Sequence, residues 1–140
     1  MDERDKKIIE LLRENSRLPY TEIAKKLGVT EATIRKRISE LENSGVIKKY
    51  TIEVDPEKLG YKTITILGLD AEPRYLLDVA KKLAEMEEVQ WVATSTGDHM
   101  IMCEIWTKDG EELFSLITKK IGKFRGVKDI CPAIIMERIK

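Results

Sequence analysis

Residues 20–43, YTEIAKKLGVTEATIRKRISELEN, read as two short helices broken at Leu27-Gly28-Val29-Thr30. Ile23, Ala24 and Leu27 recur at helical spacing before the break, and Ile34, Ile38 and Leu41 recur after it, so each helix has one apolar stripe. Gly28 supplies the left-handed residue that ends the first helix. Thr30 is an N-cap for the second, and Glu31 suits the positive end of its dipole. Small Ala24 leaves room for a close crossing. Two crossing helices joined by a tight glycine turn form the helix-turn-helix pattern, whose second helix enters the DNA major groove.

The second helix divides into faces at about 100° per residue. With Ile34, Ile38 and Leu41 inward, Ala32, Lys36, Ser39 and Asn43 point outward, and Thr33 and Arg35 flank that face near its N-terminal end. Lys and Arg read guanine through paired hydrogen bonds, while Ala and the Thr methyl group touch the thymine methyl. Lys36 and Arg35 are therefore the base-side candidates, with Thr33, Ala32 and the capping Thr30 beside them. Arg37 lies only about 60° from the buried stripe, which suits a phosphate contact or an internal salt bridge. Thr21, at the start of the first motif helix, is a second phosphate candidate. A basic run on an amphipathic helix is commonly only a solvated face, so the rest of the chain has to decide.

Charged residues make up 36% of the 140, yet 25 basic and 25 acidic side chains cancel. Residues 1–50 hold 12 Lys and Arg against 9 Asp and Glu, a net of +3, and the remainder is correspondingly acidic at −3. The positive half thus carries the helix-turn-helix. No apolar run approaches the length of a membrane span and Met1-Asp2-Glu3 opens no secretory signal, so a cytoplasmic protein is expected. Cys103 and Cys131 lack metal-ligand spacing and are expected to be buried free thiols.

Around the motif, residues 2–14 form a first helix capped by Asp2, with Ile8, Ile9, Leu11 and Leu12 turned inward. Residues 46–54 read as a β-branched strand, the wing or linker of a winged helix, with Lys48 and Lys49 available to phosphates. Asp55-Pro56 and Gly60 mark a boundary, dividing residues 1–54 from 55–140. The second half runs strand (63–70), helix from Pro73, strands (89–96 and 100–107), helix (111–121) and strand (127–137). That order is the split βαβ, or ferredoxin-like, arrangement, so the fold class is α+β. Its sheet carries helices on one face only. Trp, Met and Ile side chains are available to the other, and an exposed apolar face of that size marks an interface; Trp91, Met100, Met102 and Trp106 are expected in the core or the interface, not in a cofactor box. A dimer also suits recognition of two half-sites.

With both halves in view, the chain resembles the Lrp/AsnC family, the leucine-responsive and asparagine-operon (feast/famine) regulators, and most of all its archaeal members. The likeness rests on Asp2-Glu3-Arg4-Asp5 with Ile8 and Ile9, Glu22 to Val29, Arg35-Lys36-Arg37-Ile38 with Leu41, Gly45-Val46-Ile47, Asp55-Pro56, Leu59-Gly60-Tyr61 and Thr96-Gly97-Asp98. It implies a winged helix-turn-helix joined to a ligand-sensing ferredoxin-like domain, dimers that assemble to tetramers or octamers, and regulation of transcription at a DNA operator. It also implies an amino-acid effector close to Thr96, Gly97, Asp98 and His99. Many family members follow Gly-Asp with an aromatic and a second acidic residue, whereas this chain has His99 and Met100.

Catalysis is the competing class. His99 is the only histidine, which excludes multi-His metal sites, and Ser95 and Asp98 make a poor triad with it because strand neighbours alternate faces. There is no Walker loop, GxGxxG or CxxC, so neither cofactor nor metal is expected. Two other readings stay open. Some proteins of similar two-domain architecture are haem-pathway decarboxylases, and a DNA-packing protein without sequence preference would share the motif.

Overall fold

A computed structural model describes residues 1–140. The chain forms two compact units, Met1–Glu53 and Val54–Lys140.

In the first unit, α1 (Glu3–Glu14), α2 (Tyr20–Leu27) and α3 (Glu31–Asn43) surround one small core. Three of the helix ends are set by local chemistry. Asp2 caps α1 through a reciprocal box, its carboxylate accepting from the Asp5 N–H at 2.9 Å while the Asp5 carboxylate accepts from the Asp2 N–H. Gly28 closes α2 in the left-handed region at φ 66°. Thr30 caps α3, accepting from the Thr33 N–H at 3.2 Å. Ile8, Leu12, Ile23, Ala24, Ile34, Ile38 and Leu41 are buried together, with Ile9 and Leu11 only half-buried at the margin.

The expected strand over 46–54 is absent. These residues join no ladder; the unit is otherwise helical and offers no second extended segment. High β-propensity describes how a side chain fits a pleated surface, and without a pairing partner there is no strand to occupy. Ile47 turns back instead, its N–H donating to the Leu41 carbonyl at 3.0 Å and its side chain packing on the helical core.

In the second unit, β1 (Thr63–Ala71), β2 (Val89–Thr94), β3 (Ile101–Thr107) and β4 (Val127–Ile134) form one antiparallel sheet in the order β2-β3-β1-β4. This is the ferredoxin-like topology expected from the element order. Pro73 opens a 3-10 turn, Pro73–Tyr75, that leads into α4 (Leu76–Ala84); α5 spans Gly110–Lys119. The strands β2 and β4 stop short of their expected ends, at Thr94 and Ile134. Pro132 is tolerated because β4 is an edge strand.

Alternation along the strands separates two faces. Leu67, Leu69, Ala71, Ile101, Cys103 and Ile105 are buried with Val79 and Leu83 of α4 and Leu113 of α5. The other face carries Ile64, Ile66, Gly68 and Asp70 from β1 opposite Met102, Glu104 and Trp106 from β3. On it, the Glu104 carboxylate accepts from both the Trp106 and the Trp91 indole N–H, at 2.7 and 3.4 Å. The two thiols differ, contrary to expectation. Cys103 is buried and its pKa is pushed up to about 12 by burial, whereas Cys131, one residue off the helix-facing row of an edge strand, is exposed.

Candidate nucleic-acid interface and sensing loop

The structure gives the three consecutive cations of α3 three different environments. Arg37 is largely covered and lies against the start of α1, donating to Asp2 at 2.7 and 2.9 Å and to Asp5 at 3.0 Å. Of the two roles open to it in the sequence, this contact is the internal salt bridge. The guanidinium hydrogen bond, reinforced by the Asp5 N–H, lowers the Asp2 pKa from 3.8 to about 2. The same carboxylates raise the Arg37 pKa above its ordinary value. Because the Asp2 carboxylate also caps α1, one acidic residue starts one helix and anchors another.

Arg35 is exposed but occupied. It donates to Glu31, one turn back on the same helix, and its guanidinium lies 5.2 Å from the centre of the Tyr20 ring on α2. Lys36 is exposed and has no carboxylate partner within ion-pair distance. Ala32 and Thr30 are exposed with it, and Thr33 is half-buried, its hydroxyl 2.9 Å from that of Thr30. Thr21 is exposed in the first turn of α2. Asp2, Asp5, Tyr20 and Glu31 position the arginines, a role beyond the helix-end roles that Asp2 and Glu31 show in the sequence. Glu31 was legible from its i, i+4 spacing to Arg35; Asp2 and Asp5, far away in sequence, were not.

In the second unit, Thr96, Gly97 and Asp98 lie exposed in the turn between β2 and β3, while His99 folds back onto the sheet. The turn is closed by the Ser95 N–H donating to the Met100 carbonyl at 2.9 Å and the Ser95 hydroxyl donating to the His99 carbonyl at 2.7 Å. Asp70, at the end of β1, accepts from the Met100 N–H at 3.1 Å, and its other oxygen lies 3.5 Å from His99 Nδ1. That nitrogen is buried and has no hydrogen-bond partner. The imidazole rests on Gly68, where an added Cβ would stand 2.4 Å from His99 Cδ2. A carboxylate therefore lies beside the turn even though position 100 is methionine. No cluster of three or more His, Cys, Asp or Glu capable of holding a metal occurs, and no helix is long and apolar enough to cross a membrane.

These two sites correspond to two known domain families. Residues 1–48 match winged helix-turn-helix DNA-binding domains, and residues 64–140 match the Lrp/AsnC ligand binding domain. The chain is 53% identical to the HTH-type transcriptional regulator LrpA of Pyrococcus horikoshii over 100% of its own length and 99% of that protein's. It is equally similar, at 53% and the same coverage, to the LrpA of Pyrococcus abyssi. Among solved structures, AsnC of E. coli superposes with a TM-score of 0.90 at 26% identity, covering 100% of this chain and 95% of that one. A DNA-binding helical unit and a ligand-binding α/β unit, matched along their whole length by named regulators, place this chain in the Lrp/AsnC family of helix-turn-helix transcription regulators.

Proposed function

We propose that this regulator recognises a specific operator and that an amino acid, held at the 95–100 turn, modulates its binding. On the DNA side, Lys36 is the free cation of the outward face and makes the central base contact. Ala32, Thr33 and Thr30 shape the fit around it, Arg35 joins from the flank, and Thr21 meets the backbone. Arg37 serves the interface indirectly, by fixing the angle of α3 against α1.

The observation that carries the effector reading is Asp70. An amino acid offers an ammonium group and a carboxylate. The exposed turn at Thr96, Gly97, Asp98 and His99 provides backbone N–H groups for the carboxylate, and the carboxylates of Asp70 and Asp98 suit the ammonium group. Asp70 thus offers from β1 the acidic group that position 100 lacks. Operator binding with and without each of the twenty amino acids, together with thermal shift of the protein, tests this. At least one amino acid should change both, and Asp70→Asn should abolish the response while leaving operator affinity intact. If no amino acid moves either readout, the effector reading fails.

The apolar sheet face with Ile64, Ile66, Met102 and Trp106 suits self-association, giving a cytoplasmic homodimer that assembles to a tetramer or octamer. Ile66→Glu should reduce the mass measured by light scattering. Two rival readings have direct tests. A haem-pathway decarboxylase would purify with, or take up, a tetrapyrrole visible by absorbance. A packing protein would bind operator and random duplex equally at fixed salt.

A further inference from the structure

Arg35 and Arg37 stand about 100° to either side of the outward Lys36 on α3. Arg35 rests on Tyr20 at the start of α2, while Arg37 is clasped by Asp2 and Asp5 of α1. A helix lying in the major groove has a phosphate backbone along each flank. Thr21, beside Tyr20, belongs to the first flank. The second borders an open cleft of about 610 Å³ between α1 and the end of α2, whose charged lining is Asp2, Glu3, Arg4, Lys7, Lys26 and Arg37. Both carboxylates are engaged, Asp2 with Arg37 and Glu3 with Lys6 at 3.2 Å. Arg4, Lys7 and Lys26 are exposed and take part in no ion pair. Helix stability accounts for Lys26, in the last turn of α2, but not for Arg4. A cation in the first turn of α1 lies at the positive end of the helix dipole, where it destabilises the helix. Two helices thus bring three free cations to one cleft in which no carboxylate is left to meet them.

We propose that this cleft is a phosphate-binding site for the DNA backbone, in which Arg4, Lys7 and Lys26 hold the strand that flanks α3 on its Arg37 side. The ligand is a run of phosphodiesters. An open cleft lined by exposed, flexible cations reads the spacing of successive negative charges and has no enclosing walls to fit a small molecule. Contacts of this kind carry no sequence information; they add affinity and fix the register at which α3 lies in the groove. The Arg37 clasp serves the site by neutralising Asp2, which would otherwise oppose the phosphates. The inference rests on the reading that α3 enters the major groove.

The test uses the full chain, an operator duplex selected from a random pool and a scrambled duplex, with fluorescence anisotropy over a salt series. Arg4→Gln, Lys7→Gln and Lys26→Gln should each weaken both duplexes roughly threefold to tenfold at about 0.1 M salt and reduce the salt slope by about 0.9. The operator-to-scrambled ratio should stay constant, in contrast to Lys36→Ala, which should lower it. At a limiting dose of acetylating reagent, saturating operator duplex should protect Lys7 and Lys26, as peptide masses will show. Unchanged affinities and slope in the triple variant would overturn the proposal, and so would a falling ratio, which would assign these residues to bases. Equal acetylation of Lys7 and Lys26 with and without duplex would also overturn it, by showing that only the net charge acts. If Lys36→Ala leaves operator affinity unchanged, α3 is not in the groove, and the underlying reading falls along with the proposal. Thermal melts of each variant confirm that the fold is retained.

Discussion

Replacing Gly68 by alanine should destabilise the second unit, and the sign of the effect should reverse when His99 is absent. Gly68 sits in the middle of β1, paired with Met102 on one side and Cys131 on the other. A glycine there weakens a strand, so alanine alone would stabilise by about 0.4–1 kcal/mol through the unfolded chain. The His99 ring prevents this, because the new Cβ would stand 2.4 Å from Cδ2 and 2.7 Å from Cγ. Neither atom is the far end of a flexible chain, so the whole imidazole must leave. It would lose its packing on the sheet and its approach to Asp70. Overpacking of this kind costs about 1–3 kcal/mol. The net loss is then about 1–2 kcal/mol, a fall in Tm of roughly 5–15 °C for a unit of this size. In a His99→Ala background the obstruction is gone, and Gly68→Ala should raise Tm instead. Calorimetry at one matched protein concentration reads all four members of the cycle, and the His99 ring proton shifts report its displacement. A Gly68→Ala protein at least as stable as the parent, with the His99 resonances unmoved, would refute the reasoning.

Lys36→Ala should weaken operator binding by about 1–3 kcal/mol if Lys36 makes a good paired base contact, read by anisotropy. An equal loss on scrambled duplex, with the salt slope reduced by about one, would assign Lys36 to phosphate instead. The Asp2 pKa is depressed from 3.8 to about 2, so its contribution is complete above the upper value and is lost as the pH falls through that interval. Asp2→Asn should therefore flatten the acid dependence of helix melting between those limits, and an unchanged acid profile would deny the clasp to Arg37 in solution. Iodoacetamide at pH 8 should leave Cys103 intact until denaturant is added, as peptide masses will show, because burial pushes its thiol up to about 12; Cys131, paired with Gly68 on the face proposed for self-association, should label faster in Ile66→Glu than in the parent. Labelling of Cys103 without denaturant would mean that the sheet core opens under native conditions.

What was legible in the sequence is what local chemistry determines. Asp2, Gly28 and Thr30 carry their cap roles in their own side chains or backbone freedom, so the bounds of α1, α2 and α3 followed closely. The ferredoxin-like topology followed from the order of elements, because few sheet arrangements accommodate it. Contacts that depend on register were not legible. Asp70 reaches the Met100 N–H only because β1 and β3 pair Leu69 with Ile101, and no local pattern announces that pairing. Residues 46–54 failed for the complementary reason: their propensity was read correctly, but a ladder is a property of two segments.

The distribution of the α3 cations also bears on the cancelling charge of the whole chain. Asp2 and Asp5 draw Arg37 into the fold, Glu31 engages Arg35, and Lys36 alone keeps a free charge on the outward face. The outward face of α3 by itself therefore offers few charges to phosphates, which leaves its discrimination to contacts with base edges. In the proposed homodimer such contacts would be repeated at a second half-site by the second copy. A low net charge is therefore compatible with a discriminating reader, since an additional free cation on phosphate would strengthen operator and random sequence alike and add affinity without discrimination.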